Sequence, residues 1–394
     1  MFENVLFQEK IVNRLKQDII KKTLPPALVF SGPVNSGKLT TALELSRVLS
    51  CKNEGRWTCG CRHCTSHRLL LHQRTVLAGS RNLIPEITAA YNVLKNNTSD
   101  VSRFLFVRAV RKLLRRFDPF LWEGEERKIK QFIPVMEKLS ENLDIIQPGG
   151  SLPGEKKLEK IMKNLMAECA KIQSALPMQL PVQQIRHITG WAVHTSSGDH
   201  KTIIIDNAER MQEGAKNAML KFLEEPPEDT TIILIAKNKS MLLPTITSRV
   251  RDYPFSMRKP SEEAVILKKI YKTDEETAKK GLTGFFRSFS SEAPDKIKEI
   301  ALSFLDFAVE GRDFPPKNIS EEIKDAGTML VFLEVLGREM EKRWKDGNKS
   351  NIDNEKGFIE LKLLRESRTK TEILNIQSSQ VLKWLYLSLR TLYA

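Results

Sequence analysis

The sequence contains no apolar run that approaches the roughly 18 residues needed for a membrane-spanning helix. Its first residues, Met1–Asn4, also lack the basic stretch followed by an apolar stretch that is typical of a secretory signal. These two absences predict a cytoplasmic protein with no membrane partner.

The composition indicates a globular protein of more than one domain. The chain has 394 residues, of which 41% are hydrophobic, and this length is sufficient for two or three domains with cores of their own. Its net charge of +14 and its pI of about 9.4 favour a polyanionic partner, nucleic acid first among them. A basic surface without a specific partner is the alternative explanation of this charge.

A phosphate-binding loop is predicted from Gly32 to Lys38, which reads Gly-Pro-Val-Asn-Ser-Gly-Lys. In such loops the backbone N–H groups surround phosphates, the lysine bridges the outer pair, and a following Ser or Thr holds Mg²⁺. The following residue here is Leu39, which offers no hydroxyl. Thr40 lies one position further, and a helical step of about 100° turns its side chain away.

Two apolar strands complete the pattern around this loop. Lys201–Asp206 ends in an acid, as does the strand that brings a carboxylate to the metal in phosphate-loop proteins, so Asp206 is the predicted partner of the loop. Thr231–Ala236 is a second apolar strand, and Ala27–Phe30 precedes the loop. Strands in this order predict a parallel sheet with helices on both faces.

Four of the five cysteines form a local cluster, namely Cys51, Cys59, Cys61 and Cys64. Thiolates are ligands that zinc favours, and four of them close its tetrahedral coordination sphere, so the cluster predicts a structural zinc site. Disulfides are the weaker alternative in a reducing compartment. Because a single residue separates Cys59 from Cys61, His63 or His67 remains an alternative ligand. Cys169 is predicted to be a buried apolar residue.

Three stretches of the sequence are similar to a known family. They are Asn207–Met211, Ala215–Pro227 with its Leu-Glu-Glu-Pro-Pro run, and Leu243–Arg249, which ends in Ser-Arg. With the opening Phe2–Val5 and the cysteine module after the loop helix, they resemble the bacterial clamp-loader family of AAA+ proteins, most closely its delta-prime type of subunit. The resemblance covers about residues 1–75 and 181–258.

The resemblance implies a ring-like assembly that opens a sliding clamp and places it on primed DNA in DNA replication. The implied partners are gamma/tau-type ATPase subunits and a delta subunit within the DNA polymerase III holoenzyme. ATP lies between neighbouring subunits of such a ring, and Ser248 with Arg249 would provide an arginine finger in trans. Such a finger contributes about 10³–10⁵ in rate. A surface arginine that pairs with a carboxylate is the alternative for Arg249.

The sequence departs from the ATP-hydrolysing members of that family at Leu39, Asn207 and Ala236. Asn207 replaces the glutamate that polarises the attacking water, Ala236 replaces a polar sensor residue, and Glu209 is expected on the next helix, out of reach. These losses favour a subunit without intrinsic ATPase activity. If ATP occupies the loop, the predicted contacts are Gly32, Gly37, Lys38, Thr40 and Asp206. An active gamma/tau-type motor and a stand-alone zinc-containing DNA-binding protein are the alternatives.

We predict three domains from these patterns and the resemblance. Residues 1–257 form an α/β AAA+ phosphate-loop domain that contains the zinc module (about 51–64) and a helical insertion (about 76–180). Residues 258–292 form a small helical lid. Residues 293–394 form an all-α collar for oligomerisation, with breaks at Pro294, at Pro315–Pro316 and around 346–348.

Two amphipathic helices outside the motifs also carry predictions. A helix in the insertion has apolar residues on one face and basic residues on the other, which predicts either a DNA-facing surface or a solvated face. The basic residues are Arg108, Arg111, Lys112 and Arg115, and the apolar ones are Phe104, Val107, Val110, Leu114 and Phe117. The last helix carries a leucine stripe that predicts packing within its own domain, with packing against another subunit as the alternative, at Leu382, Leu385, Leu389 and Leu392.

Overall fold

The computed structural model of the protein divides into two compact units, Met1–Phe289 and Ser290–Ala394. It describes residues 1–194, 198–289, 294–312, 319, 322–323, 326–346, 351–372 and 376–393. Each unit has a hydrophobic core of its own. None of the helices in these ranges is long and apolar enough to cross a membrane.

A five-stranded parallel sheet forms the centre of the larger unit. Its strands are β1 (Ala27–Ser31), β2 (Thr75–Gly79), β3 (Lys201–Asp206), β4 (Thr230–Ala236) and β5 (Arg251–Pro254). Their spatial order is β2-β3-β4-β1-β5. Every residue of the first four strands is buried, as their apolar sequences predict for a parallel sheet covered on both faces.

Within the described residues the larger unit also contains fourteen α-helices. The first seven are α1 (Glu9–Ile20), α2 (Lys38–Ser50), α3 (Arg62–Arg68), α4 (Ile84–Asn96), α5 (Asp100–Leu114), α6 (Glu126–Ile129) and α7 (Ile133–Ile146). The next seven are α8 (Glu155–Ala175), α9 (Val182–His194), α10 (Glu213–Glu224), α11 (Pro244–Thr247), α12 (Pro260–Tyr271), α13 (Glu275–Lys279) and α14 (Gly281–Arg287).

Alternate strand residues enter two separate cores, one on each face of the sheet. Val29 and Ile205 belong to the first core, with residues from α4, α5 and α7–α10. Phe30 and Ile204 belong to the second core, with residues from α1 and α2. The predicted parallel sheet with helices on both faces is therefore confirmed.

The predicted insertion differs from the structure in two ways. Its first residues form β2, the edge strand that pairs with β3, so the helices of the segment begin only at α4. Its helices also belong to the main core, because Phe106 of α5 and Leu165 of α8 are fully buried beside sheet residues. The segment is therefore an integral part of the larger unit.

The basic face of α5 is neither solvated nor available to DNA, so both predictions for it were wrong. Arg108 donates to the carbonyl oxygens of His67 and Arg68, and Arg111 donates to that of Leu69. Lys112 pairs with Glu86, and Arg115 donates to the carbonyl oxygen of Thr75. Three of these cations attach α5 to the backbone around α3 and β2, and Lys112 attaches it to α4.

The smaller unit consists mainly of α-helices within its described residues. It contains α15 (Pro294–Val309), α16 (Ala326–Asp346), α17 (Asn351–Glu372) and α18 (Ser378–Tyr393). Leu382, Leu385 and Leu389 are fully buried in its core, which confirms within-unit packing for these three positions of the stripe. A helix begins at Pro294 and another ends at Asp346, whereas the break predicted at Pro315–Pro316 lies outside the described residues.

Candidate functional site

The loop between β1 and α2 follows a backbone path that depends on its two glycines. Gly32 has φ +140°, and a Cβ atom there would lie 2.5 Å from the carbonyl oxygen of Phe255. Gly37 has φ +97°, and its Cβ atom would lie 2.7 Å from the guanidinium of Arg258. Side chains rarely adopt such φ values and would collide at both positions. Asn35, at φ +61°, makes the turn between them.

Lys38 folds back into this loop. Its Nζ donates to the carbonyl oxygen of Gly32 at 2.6 Å and also to that of Pro33. Burial, followed by the positive charge of Arg81, lowers the pKa of Lys38 to about 8. The ammonium is therefore still mostly protonated at neutral pH, and loop carbonyl groups compensate its charge.

The residues after the lysine do not supply a metal ligand at the position expected for one. Leu39 is 5% exposed and packs in the second core beneath the sheet. Thr40 is half-buried on the first turn of α2, and Thr41 donates its hydroxyl to the carbonyl oxygen of Gly37 at 2.9 Å. The predicted contact of Thr40 with a nucleotide stays a prediction.

Asp206 closes β3 and forms a buried ion pair. Its Oδ2 accepts a hydrogen bond from the guanidinium of Arg116 at 2.8 Å, and both side chains are 1% exposed. Arg81, which follows β2, places a second guanidinium 4.0 Å from the same oxygen. The acid predicted to face a metal is thus surrounded by cations of the chain itself.

Asn207 and Glu209, neither of which is predicted to act as a catalytic base, follow β3. The charge of Glu209 interacts with those of Lys38 and Asp206, so its exclusion as a base stays a prediction. Asn207 has a left-handed backbone, with φ +57°, directly after the strand. Glu209 lies in a 3-10 helix, Ala208–Arg210, and not on the strand. Neither of its carboxylate oxygens has a hydrogen-bond partner among the described residues, and burial raises the pKa of Glu209.

Arg258 holds the loop from the side opposite Lys38. Its guanidinium donates to the carbonyl oxygen of Asn35 and, at 3.0 Å, to that of Leu6. The side-chain amide of Asn35 also donates to the hydroxyl of Thr283 in α14, at 3.3 Å. The loop conformation is therefore stabilised by Arg258, which also contacts Leu6 near the start of the larger unit, and by Thr283 near its end.

Arg249 lies at the surface, just after α11, and pairs with a carboxylate. Its Nε donates to Oε1 of Glu224 at 2.8 Å, and another guanidinium nitrogen donates to the carbonyl oxygen of Thr245 at 2.8 Å. Ser248 is exposed and lies 3.3 Å from the same guanidinium. The Ser-Arg pair thus contacts Glu224 of the Leu-Glu-Glu-Pro-Pro run.

The four clustered cysteines converge on one point. Their sulfur atoms all lie within 4.8 Å of one another, and those of Cys51 and Cys59 are 3.8 Å apart. Tetrahedral zinc with Zn–S bonds of about 2.3 Å requires sulfur atoms about 3.8 Å apart, so this group fits a metal ion. The backbone N–H of Cys61, followed by Asn53, lowers the pKa of Cys59 to about 6.

A buried arginine connects this cluster to the loop helix. Arg47 of α2 donates to the sulfur of Cys64 at 2.9 Å and to the carboxylate of Glu44 at 2.6 Å. It also donates to the carbonyl oxygens of Gly55 and Arg56. Arg47 therefore supports both the sulfur and the chain segment that carries the other cysteines.

The nearby histidines belong to a different group. Nδ1 of His63 lies 3.0 Å from Nε2 of His72, and His67 stacks on His72 with ring centroids 3.9 Å apart. The group of possible metal ligands around the cluster contains the four cysteines alone among the described residues. Cys169 is fully buried in α8, as predicted.

Sequence reasoning missed the arginines that organise both sites, which are Arg47, Arg81, Arg116 and Arg258. Apart from Glu44, which lies three residues before Arg47, their partners are distant in sequence or are backbone carbonyl groups, and these produce no local pattern. A signal existed for Arg47 alone, because it lies on the loop helix within one turn of the first cysteine. The other three depend on tertiary packing.

Comparison with protein families gives a match over more than half of the chain. The family described as "DNA polymerase III, delta subunit" has a family model that matches residues 7–77 and 125–259. The matched ranges include the loop, the cysteine cluster, Asp206 and Arg249. Residues 78–124, with Arg81 and Arg116, lie outside them.

Individual relatives align over short segments. DNA polymerase III subunit delta' of Pseudomonas aeruginosa is 46% identical over 69 residues, which cover 17% of this chain and 21% of that protein. The subunit delta' of Haemophilus influenzae is 40% identical over 83 residues, which cover 21% of this chain and 25% of that protein. The chain thus spans about a fifth to a quarter of the length of these relatives.

One solved structure shows a weak overall likeness. It is a DNA polymerase III, gamma subunit-related protein from Thermotoga maritima, with 21% identity and a TM-score of 0.30. The alignment covers 55% of this chain and 81% of that one. A TM-score this low supports no structural conclusion.

Proposed function

Because the chain belongs to the family described as DNA polymerase III, delta subunit, we propose that it is a delta-prime-like clamp-loader subunit without ATPase activity of its own. In this function it supplies Arg249 to ATP on a neighbouring gamma/tau-type subunit while the sliding clamp is loaded on primed DNA. The proposed domains are an AAA+ domain (1–257), a lid (258–292) and a collar that joins the subunits (293–394).

The position of Arg249 carries this proposal. A finger that acts in trans must reach beyond its own surface, and the side chain of Arg249 is 33% exposed. Its carboxylate partner, Glu224, is 48% exposed, and exposed ion pairs contribute only about 0–1 kcal/mol. A phosphate of a neighbouring nucleotide can therefore replace Glu224 as the partner of Arg249 at small energetic loss.

The residues around the phosphate-binding loop support the proposal that this chain does not hydrolyse ATP itself. Phosphoryl transfer depends on Mg²⁺ and on a residue that positions the attacking water. Leu39 has no ligand atom and lies in the core, Asp206 is paired with Arg116, and Asn207 is an amide that accepts no proton. This arrangement disfavours the active gamma/tau-type motor as an alternative.

The cysteine cluster supports a structural zinc site. We assign Cys51, Cys59, Cys61 and Cys64 as the four ligands, with no open coordination position for a reacting water. A stand-alone zinc-containing DNA-binding protein is disfavoured, because the basic residues of α5 bind the chain's own backbone and acids.

The test of the proposal is ATP hydrolysis by a reconstituted assembly of this chain with gamma/tau-type and delta subunits, clamp and primed DNA. Arg249→Ala should strongly reduce hydrolysis at the adjacent site and reduce clamp loading, since a finger contributes about 10³–10⁵ in rate. Single-turnover measurements isolate that site from the other ATP sites of the ring. An unchanged rate would mean that Arg249 is not a finger.

Three controls separate this role from structural damage. Arg251→Ala removes another exposed arginine nearby, whose guanidinium is 3.7 Å from Asp18, and should leave hydrolysis unchanged. Size-exclusion chromatography should show that the Arg249→Ala variant still enters the assembly. The isolated chain should not hydrolyse ATP above the level of Lys38→Ala; turnover abolished by that substitution would identify an active motor.

A further inference from the structure

The carboxylate of Asp206 already has a cation of the chain as its partner. Arg116 donates to Oδ2 at 2.8 Å, and the two side chains are equally inaccessible, at 1% exposure each. A guanidinium keeps its charge at any physiological pH. The positive charge at this end of β3 is therefore permanent and built into the fold.

The position of Arg116 is fixed by packing on every side. It lies in the 3-10 helix Arg115–Phe117 that extends α5, and its guanidinium also donates to the carbonyl oxygen of Lys112. Its own carbonyl oxygen accepts a hydrogen bond from the indole of Trp122 at 3.1 Å, and Trp122 stacks on Phe117. These contacts hold the backbone of Arg116 in place, and Asp206 and the carbonyl oxygen of Lys112 hold its guanidinium.

The surroundings of Asp206 contain further positive charge. Arg81 lies 4.0 Å from the same carboxylate oxygen, and Lys38 is close enough to Arg81 for their charges to interact. A divalent cation at Asp206 would therefore meet the positive charges of Arg116, Arg81 and Lys38, against which Glu209 supplies one further negative charge nearby. It would also need several oxygen ligands in octahedral geometry, and the position after Lys38 supplies none.

We propose that Arg116 takes the place of a divalent metal ion at Asp206, so that this site excludes Mg²⁺ and Mn²⁺. Arg116 acts here as a positioning residue, because it holds Asp206 and contacts no substrate. The inference rests on the proposed function in one respect, which is the correspondence of Asp206 to the metal-binding acid of phosphate-loop proteins. It concerns the chain alone and requires no partner subunit.

Removal of the guanidinium should convert the position into a cation site. In Arg116→Met the carboxylate of Asp206 is left buried without its partner, which should lower Tm by roughly 5–10 °C. A small hard cation with oxygen ligands can then compensate that charge, so Mn²⁺ at millimolar concentration should raise the Tm of this variant by several degrees. A purely structural role of Arg116 would give the loss of stability without the response to Mn²⁺.

The experiment measures thermal unfolding and Mn²⁺ binding by electron paramagnetic resonance on the full zinc-loaded chain. The wild type and Arg116→Lys should bind no Mn²⁺ at Asp206. Addition of Mn²⁺ should therefore leave the Tm of both proteins unchanged. The double variant Arg116→Met/Asp206→Asn should recover stability relative to Arg116→Met and should not respond to Mn²⁺, because neither charge remains.

Two results would overturn the inference. The first is binding of one Mn²⁺ by the wild type that Asp206→Asn abolishes. The second is a folded Arg116→Met variant whose Tm does not change with Mn²⁺. If Arg116→Met does not fold, the wild-type titration with its Asp206→Asn control still decides between exclusion and binding. The finger test on Arg249 is independent of all these outcomes, so a failure of either proposal is recognisable.

Discussion

Arg249 and Glu224 form an exposed ion pair that joins the Ser-Arg pair to the last turn of α10. The two residues are 25 positions apart in the sequence, and both belong to the segments that resemble clamp loaders. The acid therefore holds the guanidinium near Thr245 and limits the directions in which it can extend.

The first prediction concerns this acid. Glu224→Gln should change Tm by less than about 2 °C, because exposed pairs contribute little to stability. It should leave hydrolysis in the reconstituted assembly equal to the wild-type rate or higher, since Arg249 no longer has to leave a carboxylate. The measurement is the single-turnover ATPase rate beside that of Arg249→Ala. A loss in Glu224→Gln as large as that in Arg249→Ala would show that the pair itself is required.

The second prediction concerns Arg47. Arg47→Met removes a hydrogen bond to the sulfur of Cys64 and leaves the four ligands intact, so zinc affinity should fall about 10–100-fold. Competition with a chromophoric chelator measures this change. Arg56→Met, which replaces a side chain that is 71% exposed beside the same cluster, is the matched control and should keep wild-type affinity. Equal affinities in all three proteins would remove the role assigned to Arg47.

The third prediction concerns the helices between β2 and β3. Phe106 of α5 is fully buried in the core that also contains strand residues, so Phe106→Ala should lower the free energy of unfolding by about 3–5 kcal/mol. Urea unfolding should show one shifted transition for the larger unit. Val101→Ala, on the same helix at 75% exposure, should have an effect of less than about 0.5 kcal/mol. A wild-type midpoint for Phe106→Ala would mean that α5 packs only peripherally.

The fourth prediction concerns pH. Burial raises the pKa of Asp118 to about 6, and the nearby Arg115 only partly opposes this effect. The folded state therefore binds more protons than the unfolded state between about pH 4 and pH 6, and the contribution of Asp118 to stability falls as the pH rises through that window. Above pH 7, Asp118→Asn should be more stable than the wild type by roughly 1–3 kcal/mol.

Denaturant unfolding at pH 4 and at pH 7.5 tests this sign. The advantage of Asp118→Asn should disappear at the lower pH, where the wild-type carboxyl group is also neutral. An Asp118→Asn variant that is less stable than the wild type at pH 7.5 would contradict the assignment.

Three strands were predicted from runs of consecutive apolar residues in the sequence. Ala27–Phe30, Lys201–Asp206 and Thr231–Ala236 form β1, β3 and β4 with small changes at their ends. β2 and β5 were missed, because a strand of four or five residues at a sheet edge is recognisable only through the neighbour with which it pairs.

The site residues divide according to how far apart their partners lie. The spacing of the cysteines was sufficient to bring Cys51, Cys59, Cys61 and Cys64 together, because all four lie on one short segment. The pairing of Asp206 with Arg116 was not predictable, since 90 residues separate them and the contact depends on how α5 packs against the sheet. For the same reason, the cationic face of α5 was mistaken for a surface.

The burial of Leu39 also determines what a substitution at this position would cost in stability. A change from leucine to threonine would place a hydroxyl group in the second core, and an uncompensated polar group there costs about 1–3 kcal/mol. Arg116 would still pair with Asp206 after that substitution. The change from leucine to threonine alone would therefore lower the stability of the protein and would not create a metal-binding site. A loop with both a hydroxyl ligand after Lys38 and a free Asp206 would therefore require substitutions at two buried positions, Leu39 and Arg116.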